Sequence, residues 1–177
     1  MSATETLNQA IQYRKENRLK ESNELLVALA NEYPTDAYIN YQCAWSYDCL
    51  GEETQAVPYY EIAIQGDLQK DDLQGAYLGW GSTLRSLGEY EKSKNIFEKA
   101  IHQFPEDESL KVFYAMTLYN LQQHSEAMEL LLKCITSTTK DDAILTYKRA
   151  IEFYADKLDE TWRWFEKGGS KDGNMFS

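Results

Sequence analysis

At 177 residues, 43% hydrophobic and 27% charged, the chain has the length and composition of one folded domain rather than a disordered segment. Its net charge of −11 argues against a protein that coats nucleic acid or an anionic membrane, because phosphate binding relies on clustered Lys and Arg. Nine glycines and three prolines are few turn punctuators for a many-stranded β protein, so mostly helix is expected.

The first residues, Met1 to Thr6, lack the basic and apolar regions of a signal peptide, and no apolar run approaches the ~18 residues of a membrane span. A cytoplasmic protein with no membrane contact is expected. Cys43, Cys49 and Cys134 form an odd set without metal-ligand spacing, which fits reduced thiols. Cys43 and Cys49 point to different sides of a helix.

Self-similarity organises the chain. Ala10, Ala44, Gly81 and Ala115 are separated by 34, 37 and 34 residues. Large residues follow each of them (Tyr13, Tyr47, Leu84, Leu118), then turn positions (Asn17, Gly51, Gly88, Gln122) and small residues (Ser22, Ala56, Ser93, Ala127). Another large set (Leu26, Tyr60, Phe97, Leu131) and a last column (Leu29, Ala63, Ala100, Cys134) complete each unit. Small and large residues alternating at helical spacing describe two closely packed helices per unit. One such hairpin cannot bury its apolar face alone, whereas stacked hairpins can.

In chain order, helices are expected over 4–16, 19–32, 37–50, 53–66, 72–87, 90–103, 108–121, 124–136 and 141–156, with a last short one over 159–167. Asp36, Asp71, Asp72, Asp107, Asp141 and Asp142 stand at helix starts, where a short acidic side chain accepts from free N–H groups. Three extra residues around Gln65–Gln74, with Leu68 where a proline would close the unit, predict a longer loop or an extended helix. Pro58 falls about one turn into its helix.

The third unit reads Tyr77-x2-Trp80-Gly81-x2-Leu84, Gly88-Glu89-Tyr90, Ser93-x3-Phe97, Ala100 and Pro105. The second reads Asn40-x2-Cys43-Ala44-x2-Tyr47, Gly51, Ala56-x3-Tyr60 and Ala63. These phrases resemble the tetratricopeptide repeat, a 34-residue helix–turn–helix unit. Four units in phase cover roughly residues 3–140, and Ala143–Ala155 resembles a capping helix. The resemblance implies an all-α, right-handed helix-hairpin solenoid over 1–158, followed by an aromatic short helix and flexible tail over 159–177. Leu29, where the family has a small residue, marks the first unit as atypical.

A search for chemistry returns no constellation. His102 and His124 have no ligand-spaced partners, and paired acids such as Glu52-Glu53 sit at turns. Gly79-Trp80-Gly81-Ser82 lies inside a helix, with no strand before it and no Lys-Ser/Thr after it, so it is not a phosphate loop. A non-catalytic protein without cofactor or metal is expected.

Charge is uneven: residues 36–72 carry eight acids against one base, a solvated face or a docking edge for a basic partner. Trp162, Trp164 and Phe165 either seal the end of the solenoid or anchor another chain.

The first helix of each pair lines the concave side of such a solenoid. Thr4, Leu7, Ile11 and Arg14 form one line there, Tyr38, Tyr41, Trp45 and Asp48 the next. Gly75, Leu78, Ser82 and Arg85 follow, then Ser109, Val112, Met116 and Tyr119. Together they predict an apolar, aromatic trough with basic rims at Arg14, Lys15 and Arg85. Solenoids bind partners on such surfaces. Some family members grip the carboxylate of chaperone tails with Lys, Arg and Asn on these helices. Here Leu7, Ile11, Gln42, Gly75 and Gly79 stand in those places, so chaperone-tail binding is not expected. The expected function is binding of a protein or peptide in the trough. The alternative is a self-associating scaffold, a homo-oligomer joined by an end repeat or the aromatic tail.

Overall fold

The computed structural model describes residues 2–162. Ten helices follow one another: α1 (Ala3–Lys15), α2 (Leu19–Glu32), α3 (Ala37–Leu50), α4 (Glu53–Ala63), α5 (Lys70–Ser86), α6 (Tyr90–Gln103), α7 (Glu108–Asn120), α8 (His124–Thr138), α9 (Asp142–Thr146) and α10 (Lys148–Tyr154). Consecutive helices pack as hairpins, and each hairpin stacks on the next. The first helices α1, α3, α5 and α7 also touch one another side by side, which makes them one continuous wall. Among the described residues no helix is long and apolar enough to cross a membrane.

Starts and turns are chemically explicit. The Ser2 hydroxyl accepts from the Glu5 amide while Glu5 reaches back to the Ser2 amide, a capping box on α1. Asp36, Asp107 and Asp141 each accept a backbone N–H at the start of α3, α7 and α9. All four hairpin turns are closed alike, by the amides of Arg18, Glu52, Glu89 and Gln123 donating to the carbonyls of Tyr13, Tyr47, Leu84 and Leu118 at 2.8–3.0 Å. Each needs a left-handed residue just before that amide, and the turn column supplies it: Asn17, Gly51, Gly88 and Gln122 have φ of 61°, 71°, 78° and 63°. Glutamine is the worst suited of the four. Gln122→Gly should therefore raise stability by ~0.5–1 kcal/mol, the relief of left-handed strain less glycine's greater entropy when unfolded. Thermal melting checks this, and an unchanged or lower Tm contradicts it.

The core follows the columns. Ala10, Ala44 and Ala115 are buried, as are Gly81, Ser22, Ala56, Ser93, Leu26, Tyr60, Phe97, Ala63 and Ala100. The glycine of the third unit is set by contact: a Cβ on Gly81 would stand 2.6 Å from the Phe97 ring. Gly79 likewise leaves room for the Tyr60 phenol. Leu29 is fully accommodated as a core residue of the first unit.

Some boundaries differ from expectation. α4 stops at Ala63, three residues early, and α5 begins at Lys70, so the extra residues become a loop with Leu68 buried beneath it. The cap expected as one helix over 141–156 is two short ones broken at Tyr147, whose amide bonds Ile144 three residues back instead of continuing the α pattern. Among the described residues no further hairpin packs on them, so little close packing enforces a regular helix there. Residues 159–162 are not helical, which corrects the first part of the short helix expected over 159–167. The rest of that segment, with Trp164 and Phe165, lies outside the described residues.

Candidate functional site

The wall made by α1, α3, α5 and α7 carries the residues expected to line the trough. Leu7, Ile11, Tyr38, Leu78 and Val112 are half-buried, while Trp45, Met116 and Tyr119 are exposed at 43%, 41% and 62%. Trp45 stands exposed in the middle of the wall. Arg14 lies over it with the guanidinium carbon 3.9 Å from the ring centroid, and Tyr41 stacks beneath it at 6.0 Å. A guanidinium over an indole face is an attractive and well-oriented pair.

Tyr41 corrects the expected line. It is buried, at 8% exposure, and serves as floor rather than exposed lining. The cause is one repeat away: its phenol fills the space that a side chain on Gly75 would occupy. Burial pushes the Tyr41 hydroxyl up to about 12, with nearby Asp72 adding to the shift, and burial and Asp72 raise Tyr38 as well.

The C-terminal ends of the first helices form the basic edge. Arg14 donates to the Gln42 carbonyl at 3.4 Å and to the Gln42 side-chain oxygen. Burial lowers the Arg14 pKa from its ordinary value, but a guanidinium keeps its charge in proteins. Arg85, on the same edge two helices on, reaches Asn120 Oδ1 at 3.5 Å, and its Nε is buried without a partner. The Ser82 hydroxyl, one turn from Arg85 on the same helix, is buried and unpartnered too. Lys15 is exposed. The opposite edge, where α5 and α7 begin, carries Asp71, Asp72, Asp107 and Glu108. Ser82 lies on the expected line, whereas the pairing of Arg14 with Gln42 and of Arg85 with Asn120 was not foreseen, because no sequence signal marks a contact between neighbouring helices.

Between the two arginines the column holds Asp48, turned toward the interior. Tyr60 donates to its Oδ2 at 2.6 Å, and the Thr83 hydroxyl lies 2.8 and 2.9 Å from its two oxygens. Thr83 is also 2.8 Å from the Gly79 carbonyl, and its one hydrogen cannot serve both. With that hydrogen on Gly79, a protonated Asp48 completes the network. Burial raises the Asp48 carboxyl above its ordinary 3.8, and the two hydroxyls pull it partly back. A raised folded-state value means the folded form disfavours the charge, so stability from the protonated group is present at low pH and falls as pH rises through that value. An asparagine side chain in its place would donate to Thr83 and accept from Tyr60 at any pH. Asp48→Asn should therefore gain in Tm relative to the parent chain as pH goes from ~3 to ~7. A difference that is flat with pH, or that shrinks, contradicts this.

Among the described residues no group of three or more His, Cys, Asp or Glu is placed to hold a metal ion. Burial pushes the Cys43 thiol up to about 12, which makes it a poor nucleophile. The side chains on the wall offer apolar contact, from Leu7, Ile11, Trp45, Leu78, Val112 and Met116, beside the charge of Arg14 and Arg85.

An all-α stack of helix hairpins with a continuous wall of first helices is a repeat solenoid. The model of the family described as tetratrico peptide repeat matches residues 37–158, and the chain belongs to that family. A comparison with curated proteins gives no significant match. Among solved structures, YrrB, described as a TPR protein with an unusual peptide-binding site, superposes with a TM-score of 0.69 at 18% identity over 84% of this chain and 75% of its own. MamA (residues 41 to the end) from Desulfovibrio magneticus RS-1 gives 0.68 at 14% identity over 86% and 88%. A tetratricopeptide repeat protein from Parabacteroides merdae gives 0.61 at 18% over 89% and 62%. At these identities the likeness concerns the fold alone, an all-α helical repeat.

Proposed function

We propose that the chain is a non-catalytic binding module that takes a peptide along the wall of α1, α3, α5 and α7. The observation that carries this reading is Trp45: a large aromatic residue, 43% exposed mid-wall, held from beneath by Tyr41 and flanked by Arg14. Exposed, pre-oriented aromatics are the usual anchors of interfaces, and little ordering entropy remains to be lost when they are covered. That a similarly folded protein is described as having a peptide-binding site supports the same direction. The test is selection of displayed random peptides on the immobilised chain, with the retained peptides measured against a Trp45→Ala variant. Binding that ignores this change argues against the wall as the site.

Self-association is favoured by a different surface. Tyr147, Phe153, Tyr154, Leu158 and Trp162 are exposed at the C-terminal end of the stack, with Phe153 and Tyr154 gathered against Trp162 at 6.4 and 5.4 Å. An apolar end face is where a second copy would extend the stack. A mass by light scattering that stays monomeric as concentration rises sets this reading aside.

A further inference from the structure

The two arginines of the basic edge are buried to a degree that position alone does not explain. A base in the last turn of a helix suits the helix dipole, but the dipole does not call for burying it without a counter-ion. Arg14 and Arg85 are both half-buried, and among the described residues neither is within ion-pair distance of a carboxylate. Arg14 has only Gln42 and the Trp45 face, and Arg85 only a long contact to Asn120. Arg85 Nε and Ser82 Oγ, both inaccessible to water, have no hydrogen-bond partner among the described residues. The carboxylate in the same column, Asp48, is committed to Tyr60 and Thr83. A chain with net charge −11 thus keeps two half-desolvated cations on one edge of its wall and acids on the other.

We infer that the ligand is an acidic peptide whose two side-chain carboxylates pair with Arg14 and Arg85 across an apolar middle. This rests on the peptide-binding reading above and adds the chemistry of the partner. The spacing follows from the stack. Neighbouring packed helices lie ~8–10 Å apart; Arg14 reaches across to α3 and Arg85 reaches across to α7, with α5 between, so the two guanidinium groups are separated by about 16–20 Å. An extended peptide advances ~3.3–3.6 Å per residue, which puts its two acidic residues about five or six positions apart. The residues between them pass Trp45 and Leu78 and are apolar or aromatic. The first carboxylate meets Arg14 beside the Trp45 ring. The second meets Arg85, with the Ser82 hydroxyl near. The acidic opposite edge repels the same peptide laid across the wall the other way, so the charges fix its placement as well as its affinity.

The probe is a displayed library of random twelve-residue peptides, selected on the full chain at low salt, with enriched sequences then synthesised as C-terminal amides. The expected result is two Asp or Glu about five or six apart around apolar residues. Arg14→Gln and Arg85→Gln should each weaken binding about tenfold or more, with circular dichroism unchanged. A peptide with one acid changed to Lys should bind Arg14→Glu or Arg85→Glu better than it binds the parent chain, which fixes register and direction. Peptides that lose binding on Trp45→Ala yet are uncharged or basic, or that bind only with a free C-terminal carboxylate, overturn this inference and leave the peptide-binding reading standing. Selected peptides indifferent to Trp45→Ala, or no selected peptide at all, overturn both.

Discussion

Gly81→Leu should lower the melting temperature by several degrees. The cause is steric. A Cβ at residue 81 would meet the Phe97 ring at 2.6 Å, below any normal carbon–carbon approach, and the other ring atoms at 2.7 and 3.0 Å give it no way round. Phe97 is fully buried and packed with Ala100, Phe104 and Leu110, so it cannot swing aside. Overpacking of this kind costs ~1–3 kcal/mol, and here the upper end applies, because leucine adds three further carbons. For a chain of this length that is a fall of about 6–12 °C. The ring can be cut back instead: Gly81→Ala combined with Phe97→Leu should lose less than the two single changes together, since the second makes the space that the first needs. If Gly81→Leu leaves Tm unchanged, the close approach of α5 and α6 is wrong, and with it the register of the third repeat.

Trp45→Ala and Trp80→Ala should have opposite effects. Trp45 is exposed on the wall, so its loss should weaken a bound peptide by ~2 kcal/mol or more, about thirtyfold, while the fold persists. Ala44, Tyr60 and Ala63, which hold α3 and α4 together, do not depend on it. Trp80 is half-buried against that same cluster, so truncating it should cost ~3 kcal/mol of stability. Calorimetry with a selected peptide and thermal melting of both variants separate the two. If Trp45→Ala unfolds the chain but leaves affinity per folded molecule intact, the wall is a core and the binding face lies elsewhere.

What was legible in the sequence is what stacking repeats at a fixed period. The turn column could be read because every hairpin needs a left-handed residue at the same place, even where Asn17 and Gln122 stand in for glycine. The small column could be read because close helix contact admits little else. Tyr41 could not be placed from its own helix: periodicity put it on the concave line, but its burial depends on a missing side chain at Gly75, one repeat away. The Arg14–Trp45 pair and the inward turn of Asp48 are also contacts between helices, settled by rotamers that spacing does not encode. Beyond the fourth unit the expected single helix breaks at Tyr147, because α9 and α10 lie outside the columns in phase and the period imposes nothing on them.

The order of contacts along the stack has a kinetic consequence. Every major interface joins helices that are neighbours in sequence or one hairpin apart, so no contact waits for a long loop to close. Chains with such local wiring reach their transition state quickly. They also open by parts: a hairpin in the middle is held from two sides, whereas among the described residues α10 has its main helix contacts with α8 and, more lightly, α9. The C-terminal end can therefore loosen while the second and third repeats, with Tyr41, Trp45 and Leu78 on their inner face, stay closed. The central part of the surface proposed to meet a partner thus sits in the part of the chain held longest.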